Sequence, residues 1–93
     1  MKLINIKPSS RKDKKYVATF EKDGKIIKTN FGAKGYEDFT IHKDKRRKEL
    51  YLARHSNENW NDPTTAGSLS RYILWDLEDK NKSIQKFKNK FRI

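Results

Sequence analysis

One dipeptide constrains the fold of this chain more than any other feature. Asp23-Gly24 separates two runs of strand-forming residues, Tyr16–Lys22 and Lys25–Phe31. A two-residue type I′ turn needs positive φ at both central positions, and Asp-Gly is among the pairs that accept it. The turn sets a register that can be read outward. With Lys22 opposite Lys25, Phe20 falls opposite Ile27, Ala18 opposite Thr29 and Tyr16 opposite Phe31. Side chains alternate along a strand, so these six share one face, and Val17, Thr19, Glu21, Ile26, Lys28 and Asn30 share the other. A hairpin with one apolar and one mostly polar face has to cover the apolar one, and helices supply the cover.

The remaining segments predict those helices. Residues 2–7, with Ile4 and Ile6 two apart, predict one more short strand, followed by a polar, turn-rich break from Pro8 to Asp13. Gly32-Ala33-Lys34-Gly35 ends the hairpin, with Gly35 at a positive-φ turn. Residues 43–55 predict a helix whose apolar stripe is narrow: Leu50, Tyr51 and Arg54 on one side, with Arg47 a turn earlier. The Asn-rich stretch from Ser56 to Pro63 is a loop, and Asp62-Pro63 suits the N-cap and first position of a helix running to about Trp75. Ala66, Leu69, Ile73 and the neighbouring Leu74 face inward at helical spacing. Gly67 costs such a helix about 1 kcal/mol relative to Ala, which close packing against another element would explain. A last helix over 81–91 carries Ile84, Phe87 and Phe91 on one face. The expectation is one α+β domain over residues 1–93. It has a small antiparallel sheet of two or three strands, built on the hairpin 16–31 and packed against about three helices, 43–55, 63–75 and 81–91. Tyr16, Phe20, Ile27, Phe31, Leu50, Leu69, Ile73 and Phe87 are its predicted core.

Charge limits what such a domain can do. The chain has 23 Lys+Arg against 12 Asp+Glu, a net charge of +11, and no cysteine. Disulfides, thiolate zinc sites and iron–sulfur clusters are therefore excluded. No apolar run approaches the roughly 20 residues of a membrane-spanning helix. Met1–Lys7 lacks the apolar core of a signal peptide, so secretion by that route is not expected. Aromatic residues at 12% argue against a disordered basic tail.

The cations are clustered. Arg11, Lys12, Lys14 and Lys15 form a basic arm before the hairpin. Lys43, Lys45, Arg46, Arg47 and Lys48 crowd one predicted helix, with Arg54 at its end, and Lys82, Lys86, Lys88, Lys90 and Arg92 crowd the last. Residues 56–79 hold only Arg71 against five acids. Like charges at this density call for a polyanion, and basic patches beside aromatics are the footprint of nucleic-acid binding. The candidate phosphate contacts are Lys43, Lys45, Arg46, Arg47, Lys48, Arg54, Lys86, Lys88, Lys90 and Arg92. Trp60, in the Asn-rich loop, and Tyr36 are the candidates for stacking or partner contact. A basic face docking on acidic protein, or one that is simply solvated, is the competing reading.

Little points to catalysis. His42 and His55 are the only histidines, and no motif places a third metal ligand beside them. A metal-dependent nuclease needs clustered acids. Glu37 and Asp38 are adjacent and would diverge in an extended chain, while Glu58 and Asp62 flank Trp60 and suit loop hydrogen bonds. Gly32 to Gly35 is too sparse for a phosphate loop. No enzymatic activity, metal or cofactor is expected.

The stretch from Tyr16 to about Trp75 resembles a family of small uncharacterised basic proteins of nucleocytoplasmic large DNA viruses. The resemblance rests on Phe31-Gly32-Ala33, Gly35-Tyr36 with Asp38 and Thr40, His42-Lys43-Asp44, Arg47, Tyr51 and Arg54-His55. It continues through Glu58-Asn59-Trp60-Asn61-Asp62-Pro63, Thr65-Ala66-Gly67 and Leu74-Trp75. It divides the chain into a basic arm (1–15), a core (16–75) and a basic C-terminal helix (76–93). After Trp75 the family tends to a proline-containing turn, where this chain has Asp76-Leu77-Glu78-Asp79-Lys80. The resemblance implies a viral protein in the virion or the infected cell, in cytoplasm or nucleus, and carries no activity. The expected partner is nucleic acid, DNA more than RNA, bound through phosphates without sequence readout. The alternative is a minor capsid or virion protein docking on acidic viral structural proteins.

Overall fold

The computed structural model describes residues 1–93. The Asp23-Gly24 turn forms as its sequence dictates, with φ of 52° and 78° at its two residues. It joins β2 (Lys14–Lys22) to β3 (Lys25–Ala33) in the predicted register, Lys22 to Lys25, Phe20 to Ile27, Ala18 to Thr29 and Tyr16 to Phe31. A third strand, β1 (Lys2–Pro8), adds antiparallel to β2, so the sheet order is β1-β2-β3.

β1 departs from simple alternation. Its pairing shifts between Leu3, opposite Phe20, and Asn5, opposite Thr19, which leaves Ile4 as an extra residue. A bulge of this kind reverses the facing of every later residue in the strand. Leu3 and Ile6 therefore both turn to the core, and Ile4 is thrown outward with 45% of its surface exposed. Ile4 and Ile6, which a regular strand would place on one face, lie on opposite faces.

Four short helical elements come after the sheet. α1 (Phe39–His42) is capped by Asp38, which accepts from Thr40 N. α2 (Lys45–Arg54) is capped by Asp44, which accepts from the amides of Arg46 and Arg47 at 2.9 and 3.2 Å. The predicted helix 43–55 is thus shorter and begins after a left-handed Lys43 at φ 55°. The predicted helix 63–75 is corrected further. Asp62 accepts from Thr64 N and Oγ1 in a local turn, at 2.9 and 2.7 Å, and Thr65 is the actual N-cap of α3 (Ala66–Leu69). The chain then widens into a π-turn over Ser70–Leu74, closed by Trp75 N donating to the Ser70 carbonyl at 3.1 Å. The final helix, α4 (Lys80–Phe91), is capped by Asp79 and ends on a left-handed Arg92.

The core lies between the sheet's inner face, the π-turn and α4. Leu3, Ala18, Phe20, Phe31, Leu69, Ile73, Leu74 and Phe87 are buried together. Tyr16 and Ile27 are half-buried at its edge, as are Ile84 and Phe91 of α4. Leu50, predicted to be core, is 52% exposed. The reason is that α2 contributes no buried residue at all. It is held off the body by a few long side chains, and the gap beneath it becomes the principal cleft of the molecule. A Cβ on Gly67 would meet only the Glu58 carboxylate, with Oε1 at 2.5 Å, the end of a flexible side chain that can swing aside. Its close neighbour is a loop carboxylate, where close packing against another element was expected.

Candidate nucleic-acid interface

The cations of α2, adjacent in sequence, are spread round the helix by its 3.6-residue period. Arg47 and Arg54 face the cleft under α2, together with Leu50, Tyr51 and His55. Lys45 and Lys48 face the other way, onto a smaller groove with Phe39, Leu77 and Asp76. Arg46 and Lys43 are exposed. On α4, Lys86 and Lys90 border a third hollow with Arg71, Tyr72 and Asp76. Lys88 is half-buried and Arg92 is exposed at the helix end.

Two of these clusters meet at Asp76. Lys48 Nζ donates to the Asp76 carbonyl at 2.5 Å, while Lys86 Nζ and Arg71 Nη1 reach its carboxylate at 2.9 and 3.2 Å. Burial pushes the Asp76 carboxyl up, but the hydrogen bonds and charges of Lys86 and Arg71 outweigh it and leave the group below its ordinary value. The chain therefore spends one buried carboxylate to bring α2, the π-turn and α4 together. Lys43, Lys45, Arg46, Arg54, Lys88, Lys90 and Arg92 have no carboxylate within 4 Å; Lys90 lies over the Tyr72 and Phe91 rings.

The cleft under α2 has a volume of about 560 Å³. One wall is the end of the hairpin, Lys14, Lys15, Gly32 and Ala33; the other is α2; Leu74 and Trp75 lie between. Tyr51 stacks on Trp75 with ring centroids 4.2 Å apart and planes 2° from parallel. His55 lies on the other face of Tyr51 at 4.2 Å, and His42 against Trp75 at 5.2 Å. This ring stack attaches α2 to the body. Burial, and then the Glu58 carboxylate, push the Tyr51 phenol up to about 12. Lys15 pairs with buried Asp38 at 2.6 Å, and Arg47 with Glu37 at 3.7 Å. His55 Nδ1 is hydrogen-bonded to Glu58 Oε2; a carboxylate only accepts, so that nitrogen carries the proton.

The two candidate aromatics part company. Tyr36 stands at the cleft mouth, 74% exposed and free to make contacts. Trp60 is half-buried, with the Arg71 guanidinium 5.3 Å from its ring centroid, so one face of the indole is already occupied. The histidines are not brought to paired acids: His42 Nδ1 accepts from Asp44 N, and His55 meets Glu58 alone. No group of three His, Asp or Glu is placed to hold a metal ion. Lys14, Asp38, Glu58, Ser70 and Trp75 are cleft residues that sequence reasoning did not gather. The sole local signal was Asp38-x-Thr40, an Asx pattern that marks a cap and says nothing of Lys15.

Fold and charge together define a small basic α+β domain, with some of its cations set around one cleft and one buried carboxylate. The chain belongs to the family of unknown function DUF5754, whose model matches residues 4–55. That stretch contains most of the sheet with α1 and α2, and thus both long walls of the cleft. No curated protein and no solved structure matches the chain. No helix is long and apolar enough to cross a membrane.

Proposed function

We propose that the protein is a non-enzymatic nucleic-acid binder, of DNA before RNA, that holds phosphates without reading sequence. The observation that supports this reading best is the meeting of Lys48 and Lys86 at Asp76. It brings one lysine from each basic helix, α2 and α4, to a single residue, and a shared basic region favours a polyanion over bridging between two acidic proteins. Unpaired lysines and arginines flank that junction on both helices, and a polyanion crossing it would release counterions from each phosphate it neutralises. The resemblance extends the proposal to a large DNA virus, with the protein in the virion or the infected cell.

The test is titration of duplex DNA at several salt concentrations. Engaging about five phosphates implies a log–log salt slope near −4.5 and an affinity loss of ~10²–10³-fold between about 50 and 200 mM salt. Lys45→Gln with Arg46→Gln should flatten the slope by about 2. No binding at low salt, or no salt dependence, refutes the reading. The alternative of a minor capsid or virion protein draws on Ile4 of β1 and Ile26 of β3, each exposed on the outer face of the sheet with β2 between them. It requires a fixed copy number in purified particles.

A further inference from the structure

The cleft under α2 is poorly suited to a duplex. It is concave, its middle is apolar and aromatic, and its volume lies within the ~300–1,000 Å³ typical of small-molecule sites. Its charges are also unevenly used. Lys15, Arg47 and His55 are each matched by an acid, but Lys14 on one wall and Arg54 on the other have no carboxylate within 4 Å. Two unmatched cations lining one cleft with Leu50, Leu74 and Trp75 suit an anion joined to an apolar body. At one end Glu58 offers a further group: Oε2 is bound to His55, while Oε1 has no hydrogen-bond donor and lies over Gly67. A carboxylate oxygen at the cleft's edge accepts a hydrogen bond from a ligand's N–H₂ group.

We propose that this cleft takes one unpaired nucleotide whose base carries an exocyclic amino group. Its phosphate lies between Lys14 and Arg54, its base rests against Leu50 and the edge of Tyr51, whose two faces are taken by Trp75 and His55, and its amino group donates to Glu58. The proposal rests on the nucleic-acid reading and deepens it: α2 would hold backbone phosphates while a strand end or extruded base enters below. Such a base is accessible only when unstacked, which restricts the ligand to single-stranded or frayed sites.

The experiment is calorimetric titration of the full chain with deoxycytidine 5′-monophosphate, thymidine 5′-monophosphate and inorganic phosphate. Duplex binding is measured on the same samples. Deoxycytidine monophosphate should bind at least ~10-fold tighter than the thymidine nucleotide, which has no amino group, and than phosphate alone. Arg54→Gln should weaken both nucleotides by about tenfold, and Glu58→Ala should erase the preference between them. Ala33→Phe, which leaves the charge unchanged and fills the cleft from the end of β3, should abolish nucleotide binding. Circular dichroism checks its fold, and Arg54→Gln carries the test if that fold is lost. Equal binding of the three ligands, or none at millimolar concentration, overturns the pocket. If duplex binding survives that result, only the pocket is wrong; if it too is missing, the nucleic-acid reading falls with it.

Discussion

Gly32 is the position where a single methyl group should do most damage. It sits near the end of β3 at φ 78°, a region costing an L-residue about 1–2 kcal/mol. A Cβ there would lie 2.9 Å from Leu74 Cδ1 and 3.2 Å from Lys15 Cβ. Neither neighbour yields easily, since Leu74 is buried in the core and the Lys15 Cβ is fixed to the backbone of the adjacent strand. Overpacking of this kind costs a further ~1–3 kcal/mol. Gly32→Ala should therefore destabilise by about 2–5 kcal/mol, a large part of the total for a small domain. Gly35→Ala is the control, because Gly35 has φ 93° but no atom within 4 Å of the added Cβ, so only the backbone term applies. In urea, with a slope of about 1–1.5 kcal/mol per molar, the Gly32 variant should lose ~2 M or more of midpoint and the Gly35 variant ~1 M. Equal midpoints for the two variants would show that Leu74 is not a rigid wall.

Three further outcomes are expected. Asp76→Asn should cost about 2–3 kcal/mol, because it strands Arg71, 17% exposed, while Lys86, 61% exposed, stays in water. Since the folded carboxyl lies below its unfolded value of about 3.9, the wild-type's advantage should be full above that pH and fade as pH falls through the folded value; a constant difference down to pH 2 contradicts this. Ultraviolet titration should show one of the four tyrosines ionising near 12, missing in Tyr51→Phe. The corresponding stability is complete below about pH 10 and lost as pH rises towards the folded value, so alkaline denaturation should begin later in Tyr51→Phe if its stack on Trp75 is kept. Leu50→Ala should cost under ~1 kcal/mol and Leu69→Ala ~2–5, a contrast that checks whether α2 stands off the core.

Much of the fold can be read from residues close together in the chain. The hairpin register comes from the Asp23-Gly24 turn, because each strand pair is counted from it. The last helix comes from the spacing of Ile84, Phe87 and Phe91, and the burial of Phe20, Phe31, Leu69, Ile73 and Phe87 from period alone. The errors fall where a local rule admits two answers. Asp62-Pro63 suits a helix start, but so does Thr65, and the Asp62 carboxylate is already taken by Thr64. Ile4 and Ile6 alternate correctly for a flat strand, and the bulge at Ile4 is invisible without its partner. Leu50 has the spacing of a core residue on a helix that has no core to face.

The sequence by itself determined the sheet hairpin, the charge and the absence of cysteine chemistry, since each depends on composition or on neighbours a few residues apart. It also located the basic helices. Only the tertiary structure decided which way their cations face. Residues 14, 32, 51, 54, 58 and 75 share a cleft, and residues 48, 71 and 86 share Asp76, because the π-turn returns the chain beneath α2 and beside α4. Those contacts join segments far apart in sequence, and packing chooses among them by shape and by the cost of leaving a buried charge unpaired. No local pattern encodes that choice.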